Sequence, residues 1–257
     1  MRIASWNVNS IRARGERVKA WLAASSPDVL CVQETKVEDG LFPIGDYEAM
    51  GYRCEIHGGR AYNGVAILTR GQPLTDVVRG FGDGGDDAQP RLIAGTVGGV
   101  RVINVYVPNG QELGSPAFAY KLEWLARLRR LLEKNHDPAA QPIVLCGDFN
   151  VAPEPRDVHD PAAMEGQIHF SADERSAVSV LCDWGLVDTF RIHHQEGGLY
   201  SWWDYRQLSF QKNRGLRIDL LLASRALAGR SKACSIDRNE RKGKGASDHA
   251  PVVASFE

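Results

Sequence analysis

The polar residues that follow an apolar stretch near position 146 give the first indication of chemistry in this sequence. Residues 142–146 (PIVLC) are rich in branched side chains and are followed by Gly147, which is typical of a buried strand. Asp148 and Asn150 alternate around Phe149, so an extended backbone would point both polar groups to one face. A carboxylate beside a carboxamide can orient a water molecule or hold a phosphoryl oxygen. An ordinary Asx turn is the alternative interpretation.

Three other apolar stretches also carry polar residues of the kind that bind metal or phosphate. Residues 3–6 lead into Asn7 and Asn9, residues 29–32 lead into Gln33 and Glu34 with Lys36 just beyond, and Ser247-Asp248-His249 stands directly before residues 251–254. A single strand that ends in polar residues is explained by an ordinary turn. Four in one chain predict a shared pocket at one edge of a sheet sandwich.

A further carboxylate, Asp219, is embedded in the apolar residues 216–222. An ionised Asp is almost never fully buried unless it is paired, so Asp219 needs a partner. His249 is the natural candidate. An Asp that holds one imidazole nitrogen leaves the other oriented to act as a base or as a phosphate ligand.

Taken together, these segments resemble the exonuclease III family of AP endonucleases, within the wider endonuclease/exonuclease/phosphatase superfamily. The matching segments occur in the family's order and span nearly the whole chain: residues 5–10 (SWNVNS), 33–36 (QETK), 62–66 (YNGVA), 104–110 (NVYVPNG), 147–153 (GDFNVAP), 201–206 (SWWDYR), 214–219 (RGLRID) and 247–251 (SDHAP). Each segment alone is a weak signal, whereas the ordered set is highly specific. The resemblance implies a DNase I-like four-layer α/β sandwich, with two mixed β-sheets packed face to face and helices outside.

The local patterns fit that fold. Val18, Trp21 and Leu22 have the spacing of the inner face of a helix, and the 3.6-residue period predicts further helices over residues 116–134 and 172–184. Two extended stretches, residues 91–97 and 101–107, are joined by Gly98-Gly99, a two-residue hairpin signal. Hairpins combined with crossover helices indicate mixed sheets and not purely parallel ones.

The segment of residues 80–89 contains Asp83, Asp86 and Asp87 and could be mistaken for a calcium loop. It lacks the spacing and the terminal Glu of an EF-hand. We interpret it as a flexible surface loop.

The length of 257 residues allows one large domain or two small ones. No Pro-rich or Ser-rich linker and no internal repeat divides the chain, so we expect a single domain over residues 1–257.

The five cysteines are odd in number and lack CxxC spacing, which argues against a disulfide framework or a zinc site. Cys31 and Cys146 lie inside apolar strands, which favours a reducing compartment. With no signal-peptide core and no apolar run approaching 18 residues, we expect a soluble, cytoplasmic protein with no membrane partner.

The net charge of −1 does not indicate a nucleic-acid partner, but the distribution of charge does. Residues 205–244 hold eleven Lys or Arg against three Asp or Glu. This basic segment flanks the predicted pocket on both sides, which favours a track for a phosphate backbone. A solvated charged face is the alternative for residues 238–244.

A phosphodiester substrate requires charge neutralisation, an activated water and a stabilised leaving oxygen. Glu34 is the leading candidate for a metal ligand, and a hard, oxygen-rich set suits Mg²⁺, for which Mn²⁺ can substitute. The resemblance adds the rest of the predicted metal set: Asn7, Asp148, Asn150, Asp248 and His249.

The resemblance also assigns catalytic roles. Asp148 is expected to transfer a proton and Asn150 to stabilise the transition state. His249, oriented by Asp219, accepts a proton or holds a phosphate oxygen, and the sequence leaves open which of Asp148 and His249 acts on the water. Tyr106, at the end of a strand, could donate to the phosphate.

The expected partner is double-stranded DNA with an abasic site, bound by a monomer. In the family, the position of Trp202 forms part of a small apolar pocket for a flipped-out abasic sugar, which excludes intact bases by size. The other predicted DNA contacts are Asn9, Lys36, Asn109, Gln111 and Arg206, although Gln111 departs from relatives that have other residues there.

His169 is a possible gate: an imidazole beside the pocket could block a normal 3′ nucleotide and favour abasic cleavage over exonuclease action. A solvent-exposed loop histidine is the alternative.

The sequence thus predicts a Mg²⁺-dependent class II AP endonuclease that cleaves 5′ to the abasic site and leaves a 3′-hydroxyl, with some 3′-repair or 3′–5′ exonuclease activity. One alternative is another phosphodiesterase or phosphatase of the superfamily, acting on inositol phosphates, sphingomyelin or RNA tails. A second is a catalytically inactive relative that binds nucleic acid or protein. Such a relative is expected to lose the metal and proton-transfer residues, which are all present here.

Overall fold

Twelve strands form two six-stranded sheets in the computed structural model, which describes residues 1–85 and 89–257. In chain order the strands are β1 (Arg2–Asn7), β2 (Val29–Gln33), β3 (Tyr52–His57), β4 (Val65–Arg70), β5 (Thr75–Arg79), β6 (Leu92–Val97), β7 (Val100–Tyr106), β8 (Ile143–Asp148), β9 (Leu186–Asp188), β10 (Asp219–Ser224), β11 (Ser231–Ile236) and β12 (Val252–Phe256). The first sheet has the strand order β11-β12-β1-β2-β4-β3 and the second has the order β5-β6-β7-β8-β10-β9.

The helices connect and cover these strands. The α-helices are α1 (Gly15–Ser25), α2 (Ile44–Glu48), α3 (Pro116–Asn135), α4 (Pro161–Met164), α5 (Ala172–Gly185), α6 (Thr189–His193) and α7 (Arg225–Ala228), and short 3-10 helices lie at Asp39–Leu41, Pro155–Asp157 and Arg238–Arg241. The predicted helices over residues 116–134 and 172–184 are α3 and α5. Pro116 is the first residue of α3, and the Ser115 side chain accepts a hydrogen bond from the Phe118 amide and so caps the helix.

Alternating side chains of each strand build three apolar layers. Ile3, Cys31 and Cys146 belong to the core between the two sheets. Trp6 and its outward-facing neighbours pack under α1 and α2, while the opposite face of the second sheet packs under α3 and α5. The predicted four-layer sandwich is therefore confirmed. All five cysteines are free thiols.

Both sheets are mixed, as predicted. β1 pairs with β2 and β7 pairs with β8 in parallel, and the remaining pairs are antiparallel. The predicted hairpin is present between β6 and β7, where Gly98 and Gly99 have φ values of 57° and 78°. Both angles lie in the left-handed region that a primed hairpin turn requires.

This topology gathers the polar strand ends at one edge. The carboxyl ends of the parallel strands β1 and β2 lie side by side, and so do those of β7 and β8. The antiparallel β10 brings its first residue, Asp219, opposite Asp148, the last residue of β8. In the first sheet, the antiparallel β12 begins just after His249. Strands from both sheets therefore deliver polar side chains to a common edge.

The loop predicted at residues 80–89 is described only in part. Asp83 forms an ion pair with Arg127 of α3, with 2.6 Å between Oδ1 and Nη2. Asp86 and Asp87 lie outside the described residues. Within residues 1–85 and 89–257, no helix is long and apolar enough to cross a membrane.

Candidate active site

Asn7, Glu34 and Asp148 meet across the boundary between the two sheets. The side-chain nitrogen of Asn7, Nδ2, donates to Glu34 Oε1 and to Asp148 Oδ2, at 2.9 Å in each case. Asn7 and Asp148 are buried, and Glu34 is partly exposed. One carboxamide at the end of β1 thus holds together two carboxylates that come from different sheets.

His249 completes this convergence. Its Nδ1 lies 2.9 Å from Asp219 Oδ2, and its Nε2 lies 3.7 Å from Asp148 Oδ2. The predicted pairing of Asp219 with His249 is therefore present. One ligand atom from each of Glu34, Asp148 and His249 lies within 4.8 Å of the others, which is a spacing that can surround a metal ion.

Burial and the clustered charges shift the titration of this group. Burial alone would lower the pKa of His249, but the Asp219 and Asp148 carboxylates outweigh it and raise that pKa to about 10. Burial raises the pKa of Asp148 to about 7, against the opposing attraction of His249. A carboxyl group that titrates near neutral pH is suited to proton transfer.

The donor set fits a hard divalent cation. Glu34 and Asp148 supply carboxylate oxygens, which Mg²⁺ prefers, and the exposed side of Glu34 leaves room for the waters that Mg²⁺ retains. The hydrogen bonds from Asn7 link the two carboxylates, and the Lys36 ammonium lies 2.8 Å from Glu34 Oε2 and offsets part of their negative charge. Glu34 and Asp148 are therefore the residues that would hold such an ion. Asn7 orients both carboxylates through Nδ2, while its Oδ1 accepts from the Asn9 backbone amide at 3.0 Å, so its predicted role as a metal ligand stays a prediction.

The backbone around the site adopts conformations that are uncommon for these residue types. Asn9, Glu34, Lys36 and Asn150 have φ values of 46°, 52°, 53° and 52°. Each left-handed residue other than glycine costs free energy, and such residues cluster where function requires a fixed geometry. The strain therefore supports the assignment of this edge as the functional site.

The structure corrects the expected geometry at Asn150. β8 ends at Asp148, so Asn150 does not share a strand face with Asp148 by alternation, although Phe149 is buried in the outer core as expected. The backbone N–H of Asn150 instead donates to Asp148 Oδ1 at 2.9 Å, which forms an Asx turn. The Asx turn is compatible with the functional interpretation, because it brings Asn150 back toward the site.

Tyr106 lies directly beside Asp148, since β7 and β8 pair these two residues in register. Burial raises the pKa of the Tyr106 phenol, and the Glu34 and Asp148 carboxylates raise it further. The phenol therefore stays protonated and can donate a hydrogen bond.

Asp248 lies beside the cluster of Glu34, Asp148 and His249 but is not one of its three potential metal ligands. Its Oδ1 accepts from the Asn9 amide at 2.9 Å, and its Oδ2 accepts from Trp202 Nε1 at 3.0 Å. In this geometry Asp248 orients Asn9 and Trp202, and its predicted role as a metal ligand stays a prediction.

Trp202 and His169 line one side of the site. The Trp202 ring is partly buried against a small apolar cluster that includes Phe170 and Leu216. The His169 ring centroid lies 6.5 Å from that of Trp202, and His169 Nδ1 lies 2.7 Å from the Asn150 carbonyl oxygen. His169 is thus half-buried beside Trp202 and is not a solvent-exposed loop residue. Burial, followed by the Lys121 charge, lowers the pKa of His169 to about 4, so its ring is neutral and Nδ1 donates to the carbonyl.

The remaining predicted contacts divide into two groups. Lys36 and Asn109 belong to the site, since Lys36 Nζ donates to Asn9 Oδ1 at 2.6 Å and the Asn109 amide donates to Asn150 Oδ1 at 3.3 Å. Gln111 and Arg206 are exposed, and Arg206 pairs with Asp204.

The basic segment is only partly a surface feature. Arg217 is buried and pairs with Asp157 and Asp188, and Arg241 is buried beside Tyr205 and Phe210. Arg217 and Arg241 therefore do not lie on the surface, and the predicted track for a phosphate backbone along the rest of this segment stays a prediction.

Sequence reasoning missed several polar residues that position the site. Ser201 Oγ accepts from the amides of Ile218 and Asp219, and Ser247 Oγ donates to the Asn7 carbonyl oxygen at 2.7 Å. Lys121 was also missed, although a lysine within the apolar face of α3 is a detectable signal.

Comparison with known proteins agrees with this geometry. Residues 4–249 match the Endonuclease/Exonuclease/phosphatase family. The chain belongs to this family. It is 37% identical to exodeoxyribonuclease III of Haemophilus influenzae, over 100% of both chains. An AP endonuclease structure from Archaeoglobus fulgidus is 40% identical with a TM-score of 0.96, covering 100% of this chain and 99% of that one. The 3′ phosphatase NExo from Neisseria, bound to a product DNA hairpin, is 43% identical with a TM-score of 0.95 over the same shares.

These relatives confirm the predicted exonuclease III-type family and a hydrolytic nuclease as the type of enzyme. An inactive relative is disfavoured by the same geometry, because the carboxylates and the imidazole converge.

Proposed function

We propose that this protein is a DNA-repair nuclease that hydrolyses the phosphodiester 5′ to an abasic site and leaves a 3′-hydroxyl. The observation that carries the proposal is the convergence of Glu34, Asp148 and His249, with Trp202 linked to it through Asp248. Relatives named as exodeoxyribonuclease III and as DNA repair nucleases support DNA as the substrate. The alternative substrates, such as inositol phosphates or RNA tails, are not named in those relatives.

The proposed cofactor is Mg²⁺, with Mn²⁺ as a substitute. When bound, the ion would neutralise charge on the phosphoryl group and stabilise the leaving oxygen. Glu34 and Asp148 would hold it, with Asn7 fixing their separation through its two hydrogen bonds. Asn150, Asp248 and His249 are the other members of the predicted ligand set, and His249 could coordinate an ion only in its neutral form.

The titration of the site favours distinct roles for its two proton-carrying groups. Because its pKa is raised to about 10, His249 is positively charged at neutral pH and is suited to hold a phosphate oxygen. Asp148, whose carboxylate is fixed by the Asn7 side-chain amide and the Asn150 backbone N–H, is then the group that accepts a proton from the attacking water. The protonated Tyr106 and the Asn150 amide donate to the charge that develops on the phosphoryl oxygens.

The proposed substrate is double-stranded DNA, bound by a monomer. A flipped-out abasic sugar would enter beside Trp202, where the small apolar cluster excludes an intact base by size. Asn9, Lys36, Asn109, Gln111 and Arg206 are the proposed contacts to the phosphate backbone. A cytoplasmic location, argued from the cysteines, stays a prediction.

A second candidate function is the processing of 3′ ends, and His169 favours it. The ring of His169 narrows the space beside Trp202, so a small departing group is accommodated more easily than a nucleotide. If the cleavage rate falls as the departing group becomes larger, a 3′-phosphate is removed fastest, an abasic sugar more slowly and a normal 3′ nucleotide most slowly. The Neisseria relative, whose structure is described as that of a 3′ phosphatase, fits this ranking.

The first test is incision of a duplex that carries one abasic analogue, with and without EDTA, beside an undamaged duplex. We expect cleavage 5′ to the analogue that EDTA abolishes, and Asp148→Asn should lower its rate by roughly 10²–10⁴-fold. Asp46→Asn, at an exposed carboxylate of α2, is the matched control and should leave the rate unchanged. An Asp148→Asn protein with undiminished activity would overturn the assigned role.

The second test separates the two functions by comparing three substrates with one protein: an abasic duplex, a 3′-phosphate end and a normal 3′ end. His169→Gly should raise the rate on the normal 3′ end most and on the 3′-phosphate least, because it enlarges the space beside Trp202. Unchanged ratios among the three rates would show that His169 is not a gate.

A further inference from the structure

Lys121 is a charged residue at a position where α3 should present an apolar side chain. It lies between Phe118 and Leu125 on the buried face of the helix, and its side chain has no solvent exposure. A buried ammonium group is tolerated only if each of its three protons finds an acceptor. Lys121 therefore has a role that its neighbours on the helix do not share.

The three acceptors of Lys121 identify that role. Lys121 Nζ donates to the Asn150 carbonyl oxygen at 2.7 Å, to the Asn109 carbonyl oxygen at 3.1 Å and to the Glu174 carboxylate. Asn150 and Asn109 follow β8 and β7, and their side chains are hydrogen-bonded to each other. One ammonium group thus fixes the backbones of the two loops that supply the amide groups of the site.

Glu174 extends the connection to the wall of the pocket. Its Oε1 accepts from the His169 amide at 3.1 Å, and its Oε2 accepts from the Ser171 amide and hydroxyl at the start of α5. The His169 ring returns to the same Asn150 carbonyl oxygen that Lys121 contacts. Both Asn150 and His169 have left-handed backbones, with φ of 52° and 71°, which need external contacts to persist.

We propose that Lys121 and Glu174 form a positioning pair that holds Asn109, Asn150 and His169 as one rigid unit. The proposal rests on the function proposed above. The pair touches no reacting atom, and it acts through the two loop carbonyls and the His169 amide. Since a displacement of about 1 Å in a reacting group can cost roughly 10²-fold in rate, loss of the pair should lower kcat far more than it raises KM.

The design of the test must separate positioning from stability. Lys121→Met alone leaves Glu174 buried without its counter-charge, which is strongly destabilising and could prevent folding. The double variant Lys121→Met with Glu174→Gln removes both charges, and Gln can still accept at the N-terminus of α5. It restores a neutral core but does not restore the ammonium donors to Asn109 and Asn150.

Leu128→Ala is the matched control. Leu128 is fully buried on the same face of α3, two turns after Lys121, and belongs to the apolar cluster that also includes Val107, Phe149 and Val151, so it contacts this region by packing and not by hydrogen bonds. The substitution creates a cavity and lowers stability without removing a donor from the site. Its activity at a temperature where it is folded should equal that of the unaltered protein.

The experiment measures kcat and KM on an abasic duplex and on a 3′-phosphate duplex, together with amide hydrogen exchange of residues 107–111 and 148–152. For the double variant we expect a loss in kcat of roughly 10²-fold with KM near that of the unaltered protein, and faster exchange in these two segments. Leu128→Ala should show neither change. A double variant with normal kcat and normal exchange would overturn the proposal.

Hydrogen exchange also keeps the proposal separate from the proposed function. If the unaltered protein cleaves neither duplex, the proposed function fails. Faster exchange confined to the two segments of the double variant would still support the positioning role, and unchanged exchange would refute it.

Discussion

Gln33 and Asn104 hydrogen-bond to each other across the interface between the two sheets, with 2.7 Å from Gln33 Nε2 to Asn104 Oδ1. Both side chains are fully buried. The Asn104 amide also donates to the carbonyl oxygens of Val32 and Ala66, at 3.0 and 2.9 Å, which lie on the opposite sheet. Gln33 directly precedes Glu34, so this polar link fixes one sheet relative to the other just beneath the site.

We expect Asn104→Leu to lower the free energy of unfolding substantially. The substitution removes the Asn104 donor to two buried carbonyl oxygens and one acceptor of Gln33 Nε2, which keeps its bond to Ser5 Oγ. Each buried polar group that loses its partner costs about 1–3 kcal/mol. Urea denaturation monitored by fluorescence measures the change. Asn135→Ala, at the exposed end of α3, is the control and should shift stability by less than about 0.5 kcal/mol. Equal stabilities of the two variants would show that the link between the sheets is unimportant.

The Asp219 carboxylate should control the charge on His249. Asp219→Asn removes the strongest attraction that keeps the imidazole protonated, so the pKa of His249 should fall from about 10. NMR titration of the EDTA-treated protein measures that pKa. The rate of DNA cleavage should fall by roughly 10²–10⁴-fold, because the ring loses both its orientation and its charge. A pKa of His249 that is unchanged in the variant would contradict the pairing as the cause.

The fold and the central residues of the site were predictable because their signals are local. A buried strand followed by polar residues is readable at Asp148 and at Glu34, and their convergence follows from two parallel strand pairs that end at one edge. The partner of Asp219 was predictable for a different reason: a buried carboxylate needs a counter-charge, and His249 offers one.

The unpredicted features depend on contacts between distant residues. Leu122 and Leu131, whose spacing also fits the 3.6-residue period of α3, are only partly buried, whereas Lys121 occupies the inner face. Lys121 lies on the inner face because its ammonium group donates to the carbonyl oxygens of Asn109 and Asn150, which belong to other segments of the chain. At Asn150 the sequence left two interpretations open, and the left-handed backbone with its Asx-turn bond to Asp148 corresponds to the second of them.

His169 should make the stability of the protein depend on pH. Its pKa is about 4 in the folded protein and near 6.5 when unfolded, so the unfolded state binds more protons between these values. His169 therefore costs no stability above about pH 6.5, and its destabilising effect grows as pH falls toward 4. His169→Asn keeps a residue that tolerates the left-handed backbone but does not titrate. The difference in unfolding free energy between the two proteins, measured by urea at several pH values, should favour the variant increasingly at acidic pH. A difference that is constant from pH 7.5 to 4.5 would contradict the shifted pKa.

Gly147 allows β7 and β8 to approach each other immediately before Asp148. Its φ is 144°, and a Cβ atom there would lie 1.9 Å from the Val105 carbonyl oxygen. Gly147→Ala should therefore displace the end of β8, and we expect both lower stability and lower cleavage activity because Asp148 moves with it. Gly99→Ala is the matched control, since Gly99 also has a positive φ of 78° but its Cβ would meet no atom within 4 Å. The control should lose only the cost of the strained backbone, of order 1 kcal/mol, and keep its activity. Thermal unfolding and the incision assay measure both effects, and a Gly147→Ala protein as active as Gly99→Ala would show that the close approach of the strands does not position Asp148.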